Sequence, residues 1–242
     1  MNKIRSAALM LLFIFPLSSV VYAQTSDSVT YKTKWHKTKA FKVSFAPTLL
    51  ATGSLILFAS HGGEHTIIHD IPGFTSPIDD ILQFVPLGIV YGLDIAGVKA
   101  KNDVLNQSLL LLKAELIMAA FVYPLKSATK VPRPSGTANN SFPSGHTAQA
   151  FVSATFLHKE YGHLSAWYSI GAYTMATTTG IFRILKNRHR LTDVLMGAGI
   201  GILSTNIAYA THQYKWGRKD NNFSVVPTYS DKNLGLYIRW RL

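Results

Sequence analysis

Three short stretches of this chain hold side chains whose types and spacing can do chemistry together. In the first, Lys126 and Arg133 are separated by six residues, and Pro132 and Pro134 stiffen the chain around the arginine. Cations held near a helix end by a rigid turn can converge on one anion, the arginine as a fork of donors and the lysine as a point charge. Lys and Arg beside an apolar segment are also the ordinary membrane-edge pattern. The second stretch is Ser141-Phe142-Pro143-Ser144-Gly145-His146, leading into the apolar Thr147–Leu157. There the free N–H groups of a starting helix, the Ser144 hydroxyl and the positive helix end make an anion site. His146 stands over it, where an imidazole can donate a proton. A plain helix cap with a solvent-facing histidine fits the same residues. The third stretch carries Arg183, Lys186, Arg188, His189, Arg190 and Asp193. His189 and Asp193 are four apart and share a face on one helical turn. A carboxylate on one ring nitrogen fixes the tautomer and makes the other nitrogen a better nucleophile. The surrounding cations favour the neutral imidazole, and Arg183 can return over the same site. The competing reading is a membrane-edge basic cluster with an incidental histidine.

The elements that must position these residues are apolar helices. Val43–Gly63, Leu164–Phe182 and Val194–Tyr214 contain no Lys, Arg, Asp or Glu. Each is close to the roughly 20 residues that cross a hydrocarbon core. Ile81–Val98 contains Asp94, and Val104–Leu125 contains Lys113 and Glu115. Such charges cost at least ~2.5–3.5 kcal/mol at a bilayer centre, so they are expected to face the bundle interior or a polar cavity. Buried helices of a water-soluble bundle are the alternative, and the mean hydropathy of +0.15 keeps it open. At the far end, Phe223–Ser230 and Leu234–Trp240 are rich in Val, Tyr, Thr and Trp, a pattern that suggests a short β-hairpin, with a disordered tail as the other reading. The fold class expected is therefore all-α, a bundle of about six apolar helices with a small hairpin in the tail.

Composition narrows the partners. The chain has 242 residues, 48% hydrophobic and 15% charged, which argues against intrinsic disorder. Lys and Arg number 24 against 12 Asp and Glu, a net +12 that favours anionic partners. The absence of cysteine excludes disulfides, Cys-ligated zinc, iron–sulfur clusters and thiol catalysis. Residues 1–23 have the charged start, apolar run and Val21-Tyr22-Ala23 end of a secretory signal, with an uncleaved anchor as the other reading. Residues 24–42 read as a basic linker. Its Lys32, Lys34, Lys37, Lys39 and Lys42 interleave with Tyr31, Trp35 and Phe41, as in an anchor on anionic lipid. Nucleic acid is a poor partner for an exported chain. The domain expected spans 43–214, with 215–242 as a tail.

A nucleophilic imidazole, a second imidazole as acid and an arginine-rich cradle are what phosphoryl transfer without a metal requires. At these residues the sequence resembles the type 2 phosphatidic acid phosphatase superfamily, which also includes bacterial class A acid phosphatases and vanadium haloperoxidases. That family's pattern is Lys-x6-Arg-Pro, Pro-Ser-Gly-His and Ser-Arg-x5-His-x3-Asp. Lys126, Arg133 and Pro134 match the first and Pro143 to His146 the second. Arg183, His189 and Asp193 match the third, with Phe182 where the family has serine.

The resemblance implies a helical bundle, membrane-embedded, with its site on the periplasmic side. It implies that His189 attacks phosphorus, Asp193 orients it and His146 protonates the leaving oxygen. Lys126, Arg133, Ser144, Gly145 (through its N–H) and Arg183 hold the phosphate. No cofactor or metal is expected. The function expected is hydrolysis of a lipid phosphomonoester or diphosphate through a phosphohistidine, at an anionic membrane surface of the cell envelope. Two alternatives stand beside it: a soluble periplasmic acid phosphatase of broad range, and a catalytically idle envelope protein that binds anionic lipid.

Overall fold

The punctuation that separates the apolar runs also caps them. The computed structural model describes residues 39–61, 74–212, 223–230 and 233–240. The signal expected at 1–23 and most of the basic linker lie outside these residues. Among the described residues there are seven helices: α1 (Lys39–His61), α2 (Ile78–Leu82), α3 (Val85–Ile95), α4 (Val104–Thr129), α5 (Gly145–Tyr161), α6 (Ala166–Leu185) and α7 (Leu191–Thr211). Asp103, Ser144 and Ser165 stand at the N-caps of α4, α5 and α6, each accepting a backbone N–H of the first turn. Lys130 ends α4 in the left-handed region (φ 44°).

The expected helical bundle is borne out, with one correction. The run Ile81–Val98 is not one helix: it breaks at Gln83 and Phe84, between α2 and α3. Pro86 in the first turn of α3 has no N–H to extend a helix backwards. With 11 residues, α3 is about 16 Å long, well short of a hydrocarbon core of ~30 Å. Asp94 faces inward and accepts the Tyr161 hydroxyl at 2.6 Å. Glu115 of α4 likewise turns inward, to Gln149 of α5 at 2.6 Å.

Among the described residues two helices, α4 and α7, are long and apolar enough to cross a membrane. They are used differently. Only 17% of the apolar stretch of α4 is buried, against 72% for α7, so α7 is a core helix and α4 turns its apolar flank outward. Glycines let α7 lie close on α5. A Cβ at Gly197 would stand 2.5 Å from the Ser144 carbonyl oxygen, and Gly201 is just as close to Ala148.

One core cluster, around Val90, Leu110, Phe156 and Tyr161, fills the end of the bundle away from His146. It is closed by fully buried Glu160, which accepts Asn102 Nδ2 at 2.7 Å and the Tyr209 hydroxyl. The other, Val122, Phe142, Ala148, Met196 and Ile200, lies under the motif residues. Ser54 of α1 ties in here by donating to the Thr192 carbonyl at 2.8 Å.

Residues 211–242 form a separate compact unit. It holds an antiparallel hairpin of β1 (Phe223–Ser230) and β2 (Asn233–Trp240), with Phe223 opposite Trp240 and Ser230 opposite Asn233.

Candidate active site

Asp193 occupies the third position of α7 and its Oδ2 accepts the backbone N–H of Arg190 at 2.8 Å. This is the reciprocal half of a capping box, and it fixes the carboxylate before any chemistry is asked of it. The connection from α6 folds back on itself to meet it. Asn187 takes a left-handed conformation (φ 55°), and the N–H groups of Arg188 and His189 both bond to the Arg183 carbonyl. His189 therefore lies just ahead of α7, not on its first turn, and still comes beside Asp193, with Nδ1 3.5 Å from Oδ2. Ser141 completes the group. Its hydroxyl donates to Asp193 Oδ2 at 2.5 Å and lies 3.5 Å from His189 Nδ1. With Nδ1 turned to these partners, Nε2 is the nitrogen left to act. His189 is 2% exposed, and burial pushes its imidazole down to about 4. The bond and charge of Asp193 oppose that, while Arg183 and Lys126 add to it. The neutral ring expected from its cationic neighbours is thus produced first by burial.

The first motif converges as its prolines suggest. Lys126 donates to the Asn140 carbonyl at 2.7 Å, and Arg133 Nε donates to the Asn140 side-chain oxygen at 2.8 Å. The Lys126 stem passes over the start of α5, where a Cβ on Gly145 would meet its Cε at 3.9 Å. Burial and the neighbouring Arg183 and Arg188 lower Arg133. Backbone and side-chain bonds lace this loop to the third motif: Ser135 N–H to the Asn187 carbonyl at 3.0 Å and Arg190 to the Pro132 carbonyl at 2.8 Å.

Ser144 is fully buried. It gives its N–H to the Asp193 carbonyl at 2.9 Å, and its oxygen accepts from Thr147. In this structure its oxygen works as a helix cap, and Gly145 follows it into α5.

His146 and Arg183 face a cavity of about 520 Å³, together with Lys186 and Arg188. Its other wall is Phe74, Thr75, Ser76, Pro77 and Asp80. Two acids on α2 that the sequence did not single out enter here. Asp79, fully buried, holds Arg183 at 2.9 Å and Lys186 at 2.5 Å. Burial alone would raise its carboxyl, but these two cations hold it below its ordinary value. Asp80 accepts from His146 Nε2 at 2.9 Å and lies 3.6 Å from Arg183. Phe182 packs edge-on against Phe74, with ring centroids 5.4 Å apart. Lys126, Arg133, Ser144 and His189 do not line this cavity. The only sequence signal for the acids was their adjacency after Pro77 in a basic chain. For Ser141, it was its place at the head of the second motif. Among the described residues, no three His, Cys, Asp or Glu side chains cluster as metal ligands would.

An imidazole desolvated against a carboxylate, ringed by cations at the mouth of a helical bundle, defines an anion-handling histidine site. Residues 107–217, a little under half of the chain, match the PAP2 superfamily. A Lipid A 1-phosphatase of Porphyromonas gingivalis is 42% identical over 140 residues, 56% of this chain and 31% of that protein. The chain thus spans about a third of the length of this curated relative. Among solved structures, a transmembrane PAP2-type phosphatidylglycerolphosphate phosphatase from Bacillus subtilis aligns over 87% of this chain and 96% of its own. Its identity is 18% and its TM-score 0.39.

Proposed function

We propose that this protein is a lipid phosphatase that hydrolyses a phosphomonoester or diphosphate through a phosphohistidine on His189. The observation that carries the reading is the setting of that imidazole: buried, with Nδ1 3.5 Å from Asp193 Oδ2 and from the Ser141 hydroxyl, a burial that disfavours its charged form. A neutral nucleophile needs no base to activate it. In the first half-reaction, Nε2 bonds to phosphorus as the ester P–O bond breaks. The departing oxygen takes a proton from His146, and Asp193 stabilises the cationic His189 ring. In the second half-reaction, water attacks the phosphohistidine and gives its proton to His146. The P–N bond then breaks and phosphate leaves. Lys126, Arg133 and Arg183 supply the charge that spreads onto the phosphoryl oxygens. Gly145 contributes its N–H at the α5 terminus and Ser144 holds that turn.

The lipid reading is supported by the outward side of the bundle. Leu49 and Ile56 of α1, Leu112 and Leu116 of α4, and Trp167 of α6 are all more than half exposed. Exposed apolar faces of this kind mark an interaction surface, and a bilayer is the one that a lipid substrate calls for. The name of the Porphyromonas relative makes lipid A the first substrate to try. The site faces the periplasm in this reading.

The test is phosphate release from lipid A, phosphatidate, a polyprenyl diphosphate and a soluble phosphomonoester, by detergent-extracted protein in EDTA, with His189→Ala in parallel. Release from a lipid that survives EDTA and is lost in the variant is expected. Release mainly from the soluble ester would move the function to the acid phosphatases. Release from none would leave anionic-lipid binding.

A further inference from the structure

The mechanism above, on which this inference rests, asks His146 to give up a proton beside several cations. We propose that Asp80 is the positioning residue of that acid: its carboxylate accepts a hydrogen bond from the Nε2–H of His146, fixes the ring and leaves Nδ1 as the nitrogen that exchanges a proton with substrate.

The geometry is specific. His146 Nε2 and Asp80 Oδ1 are 2.9 Å apart. Asp80 is set in place from both sides of its short helix. Its own N–H bonds to the Pro77 carbonyl at 3.1 Å. The preceding residue, Asp79, is fully buried and pinned by Arg183 and Lys186. At the start of the segment, Phe74 is held edge-on by Phe182. This gives the phenylalanine that replaces the family serine a task, anchoring the strap that carries Asp80 across the cavity.

Charge points the same way. The groups around His146 are Asp79 and Asp80 from α2, Arg183 from the last turn of α6, and Lys186 and Arg188 from the connection after it. Burial and Arg183 depress the imidazole, while Asp80, by charge and by hydrogen bond, and Asp79, by charge, raise it. Without Asp80, three cations face one carboxylate, and the imidazolium needed to protonate the departing oxygen is disfavoured. During turnover the Nδ1 proton passes to the ester oxygen as its bond to phosphorus breaks. It is replaced by a proton of the attacking water in the second half-reaction, while the Nε2 proton stays on the Asp80 side throughout.

Proton donation matters most when the leaving group is poor. The full chain in detergent is therefore compared with Asp80→Asn and Asp80→Glu on an alkyl phosphate and on p-nitrophenyl phosphate. With Asp80→Asn, kcat for the alkyl ester should fall at least tenfold and for the aryl ester less than threefold. The basic limb of the kcat/KM profile should move to lower pH, and Asp80→Glu should recover part of both. Histidine-labelled NMR on a His189→Ala background reads the His146 titration without turnover. Its midpoint should drop in Asp80→Asn. An unmoved midpoint would overturn the proposal even if the enzyme is active. Equal losses on both esters would also overturn it, as would a fall in KM with an unmoved profile, which would make Asp80 a competitor for the phosphate position. If the wild type hydrolyses no phosphate at all while the midpoint still drops, the phosphatase reading fails and the Asp80–His146 coupling stands.

Discussion

Substituting Gly197 by alanine tests whether the approach of α7 to α5 sets the site. The glycine touches no proposed substrate group, but a Cβ there would lie 2.5 Å from the Ser144 carbonyl oxygen, 3.2 Å from Thr147 Cβ and 3.3 Å from Ala148 N. Ordinary contact begins near 3.4 Å, and the nearest obstacle is backbone, which cannot swing aside. The helices must part by close to 1 Å. Ser144 N–H donates to the Asp193 carbonyl at 2.9 Å, so the parting falls on the bond that joins the second motif to the third. Alanine in place of a helical glycine gains about 1 kcal/mol of propensity, while overpacking costs ~1–3 kcal/mol. The net effect on stability is a loss of up to about 2 kcal/mol. The effect on rate is larger, since a misplacement of about 1 Å can cost on the order of a hundredfold. Gly197→Ala should lower kcat/KM for a lipid phosphomonoester by roughly ten- to a hundredfold and lower the thermal midpoint. Gly92→Ala, where a Cβ meets nothing within 4 Å, should do neither. A Gly197→Ala protein with wild-type kcat/KM and a raised midpoint would refute the claim that this contact positions the site.

Other outcomes follow from the same geometry. His189 is held down to about 4 in the fold against 6.5 when free, so the folded state disfavours its protonation. Stability is full above about 6.5 and falls as the pH drops towards about 4, by on the order of 3 kcal/mol. Chemical denaturation at several pH values, beside His189→Gln, which should lack most of this loss, checks it. Ser141→Ala removes a donor to a buried carboxylate, a bond of about 1.5–3 kcal/mol, and should cut kcat by roughly ten- to a hundredfold with KM little changed. Asp79→Ala strips the partner from two nearly buried cations, so the midpoint of denaturation should reveal a loss of roughly 3–5 kcal/mol.

The helices were legible because each apolar run is bounded by residues with a local reason to stop or start one. Ser144 and Asp103 cap, and Pro132 with Pro134 stops α4 from continuing. The hairpin was legible from its two β-rich runs. What misled was hydropathy alone in Ile81–Val98, where the missing N–H of Pro86 outweighs the apolar character of its neighbours. At the site, Lys126 and Arg133 could be paired from their spacing, because Lys126 ends α4 and Arg133 follows at once on the proline-stiffened turn. Asp79 and Asp80 could not, because they reach Arg183 and His146 across 104 and 66 residues of chain. Nothing in the order of residues announces a contact at that separation. Ser141 reaches Asp193 across 52 residues and was hidden for the same reason. Burial was the other quantity the sequence withheld. It makes His189 neutral where charge counting alone gave the same sign for a lesser cause.

The most direct test of the central claim is to trap the covalent intermediate. Protein mixed with a ³²P-labelled lipid phosphomonoester in EDTA is quenched within its first turnover, kept alkaline, digested and mapped. The account predicts an acid-labile, base-stable phosphoryl group on the peptide containing His189, absent from His189→Ala and accumulating in His146→Ala when the substrate has a good leaving group. Hydrolysis with no label on any peptide, or label that persists in His189→Ala, would contradict it.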